Sequence, residues 1–432
     1  MRKTFGGEGE GFAVAEIQGL YGPFSFPEKL LQQIWMRGEF DARDAFTADG
    51  RRVDVVHPGR WNLLGGPDFQ GARLRIGGVV TTGDVELHLH AADWRAHGHA
   101  GDPAYDRVIL HVVLFPSSER LTAGANGREI PVLTLLPLLH HDLEEYAADA
   151  AVERLANHPL TRANEALAAL SEADLRAELT RCAMGRWHQK VRYAKIRIDR
   201  LGWAEACHQT ALEILGYRAN RAPMLALAAT WPLSAWTPLA TDVQRAEFVE
   251  NLFASPDGSW QWSVQGIRPA NQPRTRLRQY ATWTSARPGW PARWAGIGDE
   301  LEACLESAAE VKSRHTTDFR KLMAMRCWRE KIAGEICGQA LSGPRLDTLI
   351  CDGFLPLLGA RASSDNARPE LWWRHWYCGD VPAKWLALLR ALRVIGGREW
   401  PASHGAVQGL LGWMLTEEKK QNFGDSAEGR GT

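Results

Sequence analysis

"GPDFQGARLRIGGVVTTGDVELHLHAADWRAHGHAGDPAYDRVILHVV", residues 66–113, packs five of the chain's 14 histidines into fewer than fifty residues. Its reading as a β-hairpin, a loop and a buried strand decides the fold. Strand side chains alternate, so Glu86, His88 and His90 share one face of "DVELHLH" while Val85, Leu87 and Leu89 take the other. "GARLRIGG" precedes it as the partner strand, with Gly77-Gly78 and Gly83 as turn candidates. Asp68 opens that partner strand directly after Pro67, and antiparallel pairing brings it towards Glu86. Two converging carboxylates make an oxygen site for Mg²⁺ or Mn²⁺, and an adjacent imidazole moves the preference towards Mn²⁺ or Zn²⁺. The order of expectation is Mg²⁺ or Mn²⁺ ahead of Zn²⁺.

The plain alternative is a solvated polar face. The density of His97, His99, Asp102, Asp106 and His111 in the next loop and strand weighs against it. His111 sits inside the apolar run "VILHVVL", where an imidazole must find a partner, so it is expected to be a satisfied core histidine. His90, His97, His99 and Asp102 are expected to support the ligands or touch substrate, and for His97 and His99 loop-locking hydrogen bonds and direct ligation stand as equal alternatives.

Outward from this stretch the pattern mixes helix and strand. "FPEKLLQQIWMRGEF" has apolar residues at helical spacing, with Pro27 in the first turn. "RRVDVVHPG" is a short strand ended by Pro58-Gly59, "RVILHVVLF" the clearest strand, and "REIPVLTLLP" another strand or an edge, because Pro131 removes a ladder donor. After about residue 140 the texture turns to helix formers with apolar residues three and four apart. The expected organisation is a flexible segment 1–25, an α/β domain 26–140, a larger mainly α-helical domain 141–415 and a flexible tail 416–432. The fold class is α+β.

Bulk properties narrow the function. Lysine plus arginine equals aspartate plus glutamate at 51 each, which argues against a protein that coats nucleic acid but leaves room for a local basic groove. Seven cysteines without a CxxC pair read neither as a disulfide framework nor as a zinc knuckle. With no signal-peptide pattern and no membrane-length apolar run, the expected location is cytoplasmic, without a membrane partner. There is no GxSxG, HExxH or GxxxxGK[ST] motif.

In the helical part, "RCAMGRWHQKVRYAKIRIDR" (181–200) carries seven basic residues and one acid. Arg186, Lys190 and Arg197 fall broadly on one side, with Trp187 and Tyr193 interleaved, so the segment reads as a phosphate grip with stacking platforms or as a solvated helix face. "RPANQPRTRLRQ" adds Arg268 and Arg276 in a proline-stiffened element that serves either as a phosphate clamp or as a lock between helices. Four aromatics in "WWRHWYCGDVP" (372–382) read first as core.

Two resemblances follow from these motifs. The signatures "HPG", "GPDF", "AR", "VELH", "DW", "H.H", "D..Y" and "VILHVV", with "LGY..N" at Leu215 to Asn220 and "RPAN.P..RL.Q" from Arg268 to Gln279, resemble a bacterial domain-of-unknown-function family (family 2851). That resemblance implies no activity. The order helix, three strands, connection, strand, with "PD" opening the second strand and an acid on the third, is similar to the PD-(D/E)xK nuclease core. It implies Asp68 and Glu86 as metal ligands. His88 stands where that superfamily has lysine, in a catalytic role as base or ligand. Glu28 on the first helix, with Glu39 as the alternative, would supply a further acidic ligand. The expected function is therefore metal-dependent hydrolysis of phosphodiester bonds in DNA or RNA. The rivals are a non-catalytic nucleic-acid or protein-binding module on the same scaffold and a cupin-like histidine-metal enzyme.

Overall fold

A computed structural model describes residues 28–428 apart from 63–64, 125–126, 142, 144, 148–149, 151–159, 218, 255–261, 266, 308–314 and 363–368, with side chains described as far as residue 417. The segment 1–25 lies outside the described residues. The chain divides into two compact units, 1–150 and 151–432. The first therefore ends about ten residues later than the composition change suggested. Leu143, Tyr146 and Ala150 belong to its core, and the Tyr146 hydroxyl donates to the Glu39 carbonyl at 2.7 Å.

The first unit is an open mixed sheet with helices. Helix α1 (Glu28–Arg37) is followed by β1 (Val53–His57), β2 (Arg60–Trp61), β3 (Phe69–Ile76), β4 (Val79–His88), the single turn α2 (Asp93–Ala96), β5 (Val108–Val113), β6 (Leu121–Ala123) and β7 (Glu129–Thr134). The sheet order is β1-β3-β4-β5-β7-β6, with β2 paired to β3. β1, β3 and β4 run antiparallel; β4–β5 and β5–β7 are parallel, and β6 closes antiparallel on β7. The β3–β4 hairpin turns on Gly77 and Gly78 at φ 58° and 87°, values that favour glycine and suit a primed two-residue turn.

Gly83, the other turn candidate, lies instead within β4. A Cβ there would stand 2.3 Å from Ile109 Cγ2 and 2.6 Å from the Arg107 carbonyl oxygen, so the glycine admits the close approach of β5 where the register shifts. β7 is not an edge, because the short strand β6 covers it and pairs Leu121 with Pro131. β5 is buried along its whole length, as a central parallel strand flanked on both faces must be. Val85 and Leu87 enter the main core with Leu30, Leu31, Ile34 and Trp35 of α1, which commits Glu86 and His88 to the opposite face of β4.

The second unit is helical. Its long helices Glu172–Leu201 and His404–Glu428 pack together, the latter running past residue 416, where a flexible tail was expected; residues 429–432 lie outside the described residues. Nine tryptophans among the described residues are essentially fully buried, including Trp372, Trp373 and Trp376, so that aromatic run is core. Trp187 also packs inward, 5.4 Å from Trp373 between ring centroids, and offers no stacking platform. No helix among the described residues is long and apolar enough to cross a membrane, and the cysteines there are free thiols.

Within this unit His208 makes stability sensitive to acid. It is fully buried, with Nδ1 2.6 Å from the Tyr280 hydroxyl and Nε2 3.0 Å from the Trp231 carbonyl oxygen. The neutral ring satisfies both, accepting at Nδ1 and donating at Nε2. Burial holds its pKa down from 6.5 to about 4. A depressed histidine contributes stability that is present above pH 6.5 and withdrawn as pH falls towards 4, here about 2 kcal/mol between pH 7.5 and pH 5. Denaturant unfolding of wild type and His208→Gln at those two pH values should show a smaller acid loss in the variant. Equal losses would remove His208 from the account.

Candidate metal centre

Asp68 stands just ahead of β3, and both its oxygens are held. Gln32 Nε2 of α1 donates to Oδ1 at 2.6 Å and the Leu87 amide donates to Oδ2 at 3.1 Å. Gln32 is itself fixed by Trp61 Nε1, which donates to its Oε1 at 3.1 Å. The Asp68 amide donates to Glu86 Oε2 at 2.9 Å, so the backbone that presents one acid orients the other. The loop before Asp68 is tied by Asn62 Nδ2 to the Pro67 carbonyl at 3.0 Å, while the Gly59 amide donates to His57 Nδ1 at 3.0 Å.

Glu86 Oε1 faces imidazoles. It lies 3.4 Å from His99 Nε2 and 3.7 Å from His88 Nε2, and His97 Nδ1 is 3.2 Å from that same His88 nitrogen. Ligand atoms of His88, His97 and His99 all fall within 4.8 Å of one another. The aromatic wall beneath is Trp94 and Tyr105: Trp94 meets His88 and His99 edge-on, and Tyr105 stacks on His99 with ring centroids 3.9 Å apart. Trp94 Nε1 is anchored on the Ala123 carbonyl of β6 at 3.1 Å.

His111, expected as a satisfied core residue, is fully buried and satisfied, but its partner is the cluster itself. It pairs in register with Glu86 across the parallel β4–β5 ladder, places Nε2 2.9 Å from His88 Nδ1, and sets Nδ1 2.8 Å from Thr122 Oγ1. With His88 protonated at Nδ1, that hydrogen goes to His111 Nε2 and the His111 Nδ1–H goes to Thr122. The His88 Nε2 lone pair is then left facing Glu86, the arrangement by which a ligating histidine is oriented through its other nitrogen.

The electrostatics favour an incoming cation. Burial, reinforced by the Asp68 charge, pushes the Glu86 carboxyl up to about 9, and burial pushes Asp68 up to about 6. Glu28 at the start of α1 adds a third carboxyl whose charge disfavours ionisation of both, and it too is raised by burial. Among the described residues no lysine or arginine pairs with Asp68 or Glu86. Burial and mutual proximity hold His88 and His111 near 3 and lower His99, so these rings are neutral and keep a lone pair. A neutral His88 supplies no cation in place of a lysine, and its Nε2 faces Glu86 Oε1.

Other expected residues fall elsewhere. His90 lies past the end of β4, exposed and stacked on Phe115 at 4.9 Å, away from the face shared by Glu86 and His88. Asp102 caps the turn Pro103–Tyr105 by accepting the Ala104 amide at 2.9 Å, a loop-locking role. Glu39 pairs with Arg37. In the helical unit Lys190 pairs with Asp352 at 2.9 Å, Arg197 with Glu213 at 2.7 Å, and Arg186 bonds Gln189 and Gln408, so these cations are held by internal partners. Arg276 is buried, and Arg268 is exposed.

Gln32, Thr122, Trp94 and Tyr105 were not singled out from the sequence. Gln32 carried a signal, since it lies one helical turn beyond Glu28. Trp94 and Tyr105 stand in the "DW" and "D..Y" signatures. Thr122, on a three-residue strand, carried none.

A mixed sheet whose strand β4 presents Glu86 and His88, with Asp68 just ahead of β3 and His97 and His99 on the loop that follows β4, defines a candidate metal-binding α/β unit beside a second, helical one in the same chain. Residues 28–253, more than half of the chain, match the family described as "Protein of unknown function (DUF2851)", and the chain belongs to that family. Searches of curated proteins and of solved structures each returned no match.

Proposed function

We propose that the first unit holds a divalent transition ion and uses it to hydrolyse phosphodiester bonds of DNA or RNA. The observation that carries the metal is the trio His88, His97 and His99, whose ligand atoms all lie within 4.8 Å of one another, with Glu86 Oε1 beside His99 Nε2 and His88 Nε2. Ligands about 2.1 Å from a tetrahedral ion stand about 3.4 Å from one another, and the separations of 3.2, 3.4 and 3.7 Å bracket that figure. One carboxylate with three imidazoles suits Mn²⁺ or Zn²⁺ better than Mg²⁺, which demands oxygen. The expected preference thus moves towards the softer ions because Glu86 is joined by more nitrogen donors than the strand pattern suggested.

The phosphodiesterase reading rests on the topology and on Asp68 and Glu86. A helix, three antiparallel strands, a connection and a parallel strand carry an acid before the second long strand and another on the third. Parallel pairs in the middle of the sheet also disfavour the cupin-like alternative, which needs antiparallel double sheets. When bound, the ion lowers the pKa of a coordinated water and polarises a phosphoryl oxygen. The protein's own groups orient that chemistry. Glu86 is aimed by the Asp68 amide, Asp68 by Gln32 and Leu87, and His88 by His111.

The test is calorimetric titration with Zn²⁺, Mn²⁺ and Mg²⁺, followed by cleavage of labelled single- and double-stranded DNA and RNA with each ion or with chelator, for wild type, Asp68→Ala and Glu86→Gln. Metal-dependent cutting lost in both folded variants supports the reading. Tight metal binding with no cutting of any substrate would remove the phosphodiesterase and leave the metal centre; failure to bind any ion would remove both and favour a binding module.

His111→Phe touches no ligand atom. It deprives the His88 Nδ1–H of its acceptor, and the expected cost is about 10- to 100-fold in metal affinity. His111→Gln should recover part of that loss. Unchanged affinity in the phenylalanine variant would deny His111 its positioning role.

A further inference from the structure

The signature segments "LGY..N" and "RPAN.P..RL.Q" lie far along the chain from the metal centre, and in the helical unit they meet around Tyr217. Tyr217 holds φ at 52°, a left-handed conformation that is costly for a side chain of this size. The Arg345 guanidinium lies over its ring, and Arg276 approaches the same ring with its guanidinium carbon 5.4 Å from the centroid. Both arginines are 6% exposed.

Their partners do not balance their charge. Arg276 donates to Gln279 Oε1, Asn271 Oδ1 and the Tyr217 hydroxyl, all neutral, and its Nε is buried without an acceptor. Arg345 donates to the Ile214 carbonyl, while its Nε and Nη2 are buried without a hydrogen bond. The nearby carboxylate is Asp380, whose Oδ2 stands 3.1 Å from Arg345 Nη2 off hydrogen-bond geometry and accepts from the Tyr217 hydroxyl at 3.3 Å. Asp352, the other acid whose charge reaches Arg345, is already paired with Lys190. Two buried cations therefore share one half-exposed carboxylate, and burying a charge without a partner costs several kcal/mol.

We propose that Arg276 and Arg345 form a binding site for a phosphate group, with Asp380 occupying its mouth in the unliganded state. The unused donors are Nε of both guanidiniums and Nη2 of Arg345, groups of the kind that bind phosphate oxygens. Asp380 is the exposed member of the cluster, and the ligand takes its place beside Arg345. A helix lock alone, the other use of an "RPxNxP" element, accounts for the Ile214 and Asn271 contacts but leaves the Nε atoms and the net positive charge unexplained.

The site is tested on the full chain by calorimetric titration of inorganic phosphate in chelator, at constant ionic strength, with thermal unfolding as the check on folding. Wild type should bind saturably and gain melting temperature with phosphate. Asp380→Asn should bind at least about threefold tighter, because a like charge leaves the mouth. Arg276→Met and Arg345→Met should each weaken binding at least about tenfold, and the lysine variants by less. Competition by a 5′-phosphorylated dinucleotide but not by its dephosphorylated form assigns the natural source to a nucleic-acid end; competition by neither assigns the site to free phosphate. If Asp380→Asn shows no saturable phosphate binding, or if both methionine variants bind as wild type does, the proposal is overturned.

Discussion

Glu86→Gln is expected to weaken divalent-ion binding by more than about a hundredfold, since loss of an outer contact alone costs up to about that much and Glu86 is proposed as a direct donor. The substitution keeps shape, and the amide oxygen can still accept from the Asp68 amide, so the fold should survive. Stability supplies a second readout. A carboxyl whose pKa is raised on folding binds more protons in the native state, so in metal-free protein it costs stability as pH rises from 4.5 towards 9. Metal-free Glu86→Gln should therefore melt no lower than metal-free wild type at neutral pH. With saturating Zn²⁺ or Mn²⁺ the order should reverse, because the ion stabilises only the protein that binds it. Thermal unfolding with and without metal checks both halves. A variant that binds and responds to metal as wild type does would place the ion elsewhere.

The second large effect concerns the helical unit. A Cβ at Gly409 would lie 2.4 Å from the Leu179 carbonyl oxygen and 3.1 Å from Leu179 Cβ, and one at Gly412 2.8 Å from the Cys182 carbonyl oxygen. These glycines let helices Glu172–Leu201 and His404–Glu428 approach backbone to backbone. Gly409→Leu is expected to cost about 3 kcal/mol or more, since a backbone carbonyl cannot give way as a flexible side chain does. For a unit of this size that is a fall of about 6–10 °C in melting temperature. Gly185, inside the first of these helices, has open space around its Cα. Gly185→Ala should instead gain up to about 1 kcal/mol, the ordinary helix preference for alanine. Differential scanning calorimetry of the two variants tests the pair, and a neutral Gly409→Leu would contradict the close packing.

Much of the first unit was legible from local pattern. Alternation in "DVELHLH" put Glu86 and His88 on one face, the Gly-Gly pair marked the hairpin, and Pro67-Asp68 placed the second acid beside the first. His90 shows the limit of that reading. Alternation says which face a residue takes while the strand lasts, but not where the strand stops, and β4 ends at His88. Gly83 was ambiguous for a similar reason, because a glycine marks either a turn or a close approach, and only the position of β5 decides which. The spacing of Arg186, Lys190 and Arg197 described a helix side truthfully, yet charge spacing says nothing about which acids a neighbouring helix presents. Glu213 on the next helix and Asp352, far along the chain, took up two of those cations.

What the sequence by itself determined is the alternation, the turn and the paired acids, all set by interactions within a few residues. The tertiary structure decided what kind of centre they make. His111 became the orienting partner of His88 through the parallel pairing of β4 with β5, and the loop that packs on Trp94 and Tyr105 brings His99 to Glu86 and His97 to His88. Tyr217, Arg276, Arg345 and Asp380 likewise meet only through packing. A lone histidine or arginine in a sequence carries no record of its neighbours in space, and it is those neighbours that set its charge, its tautomer and its ligand.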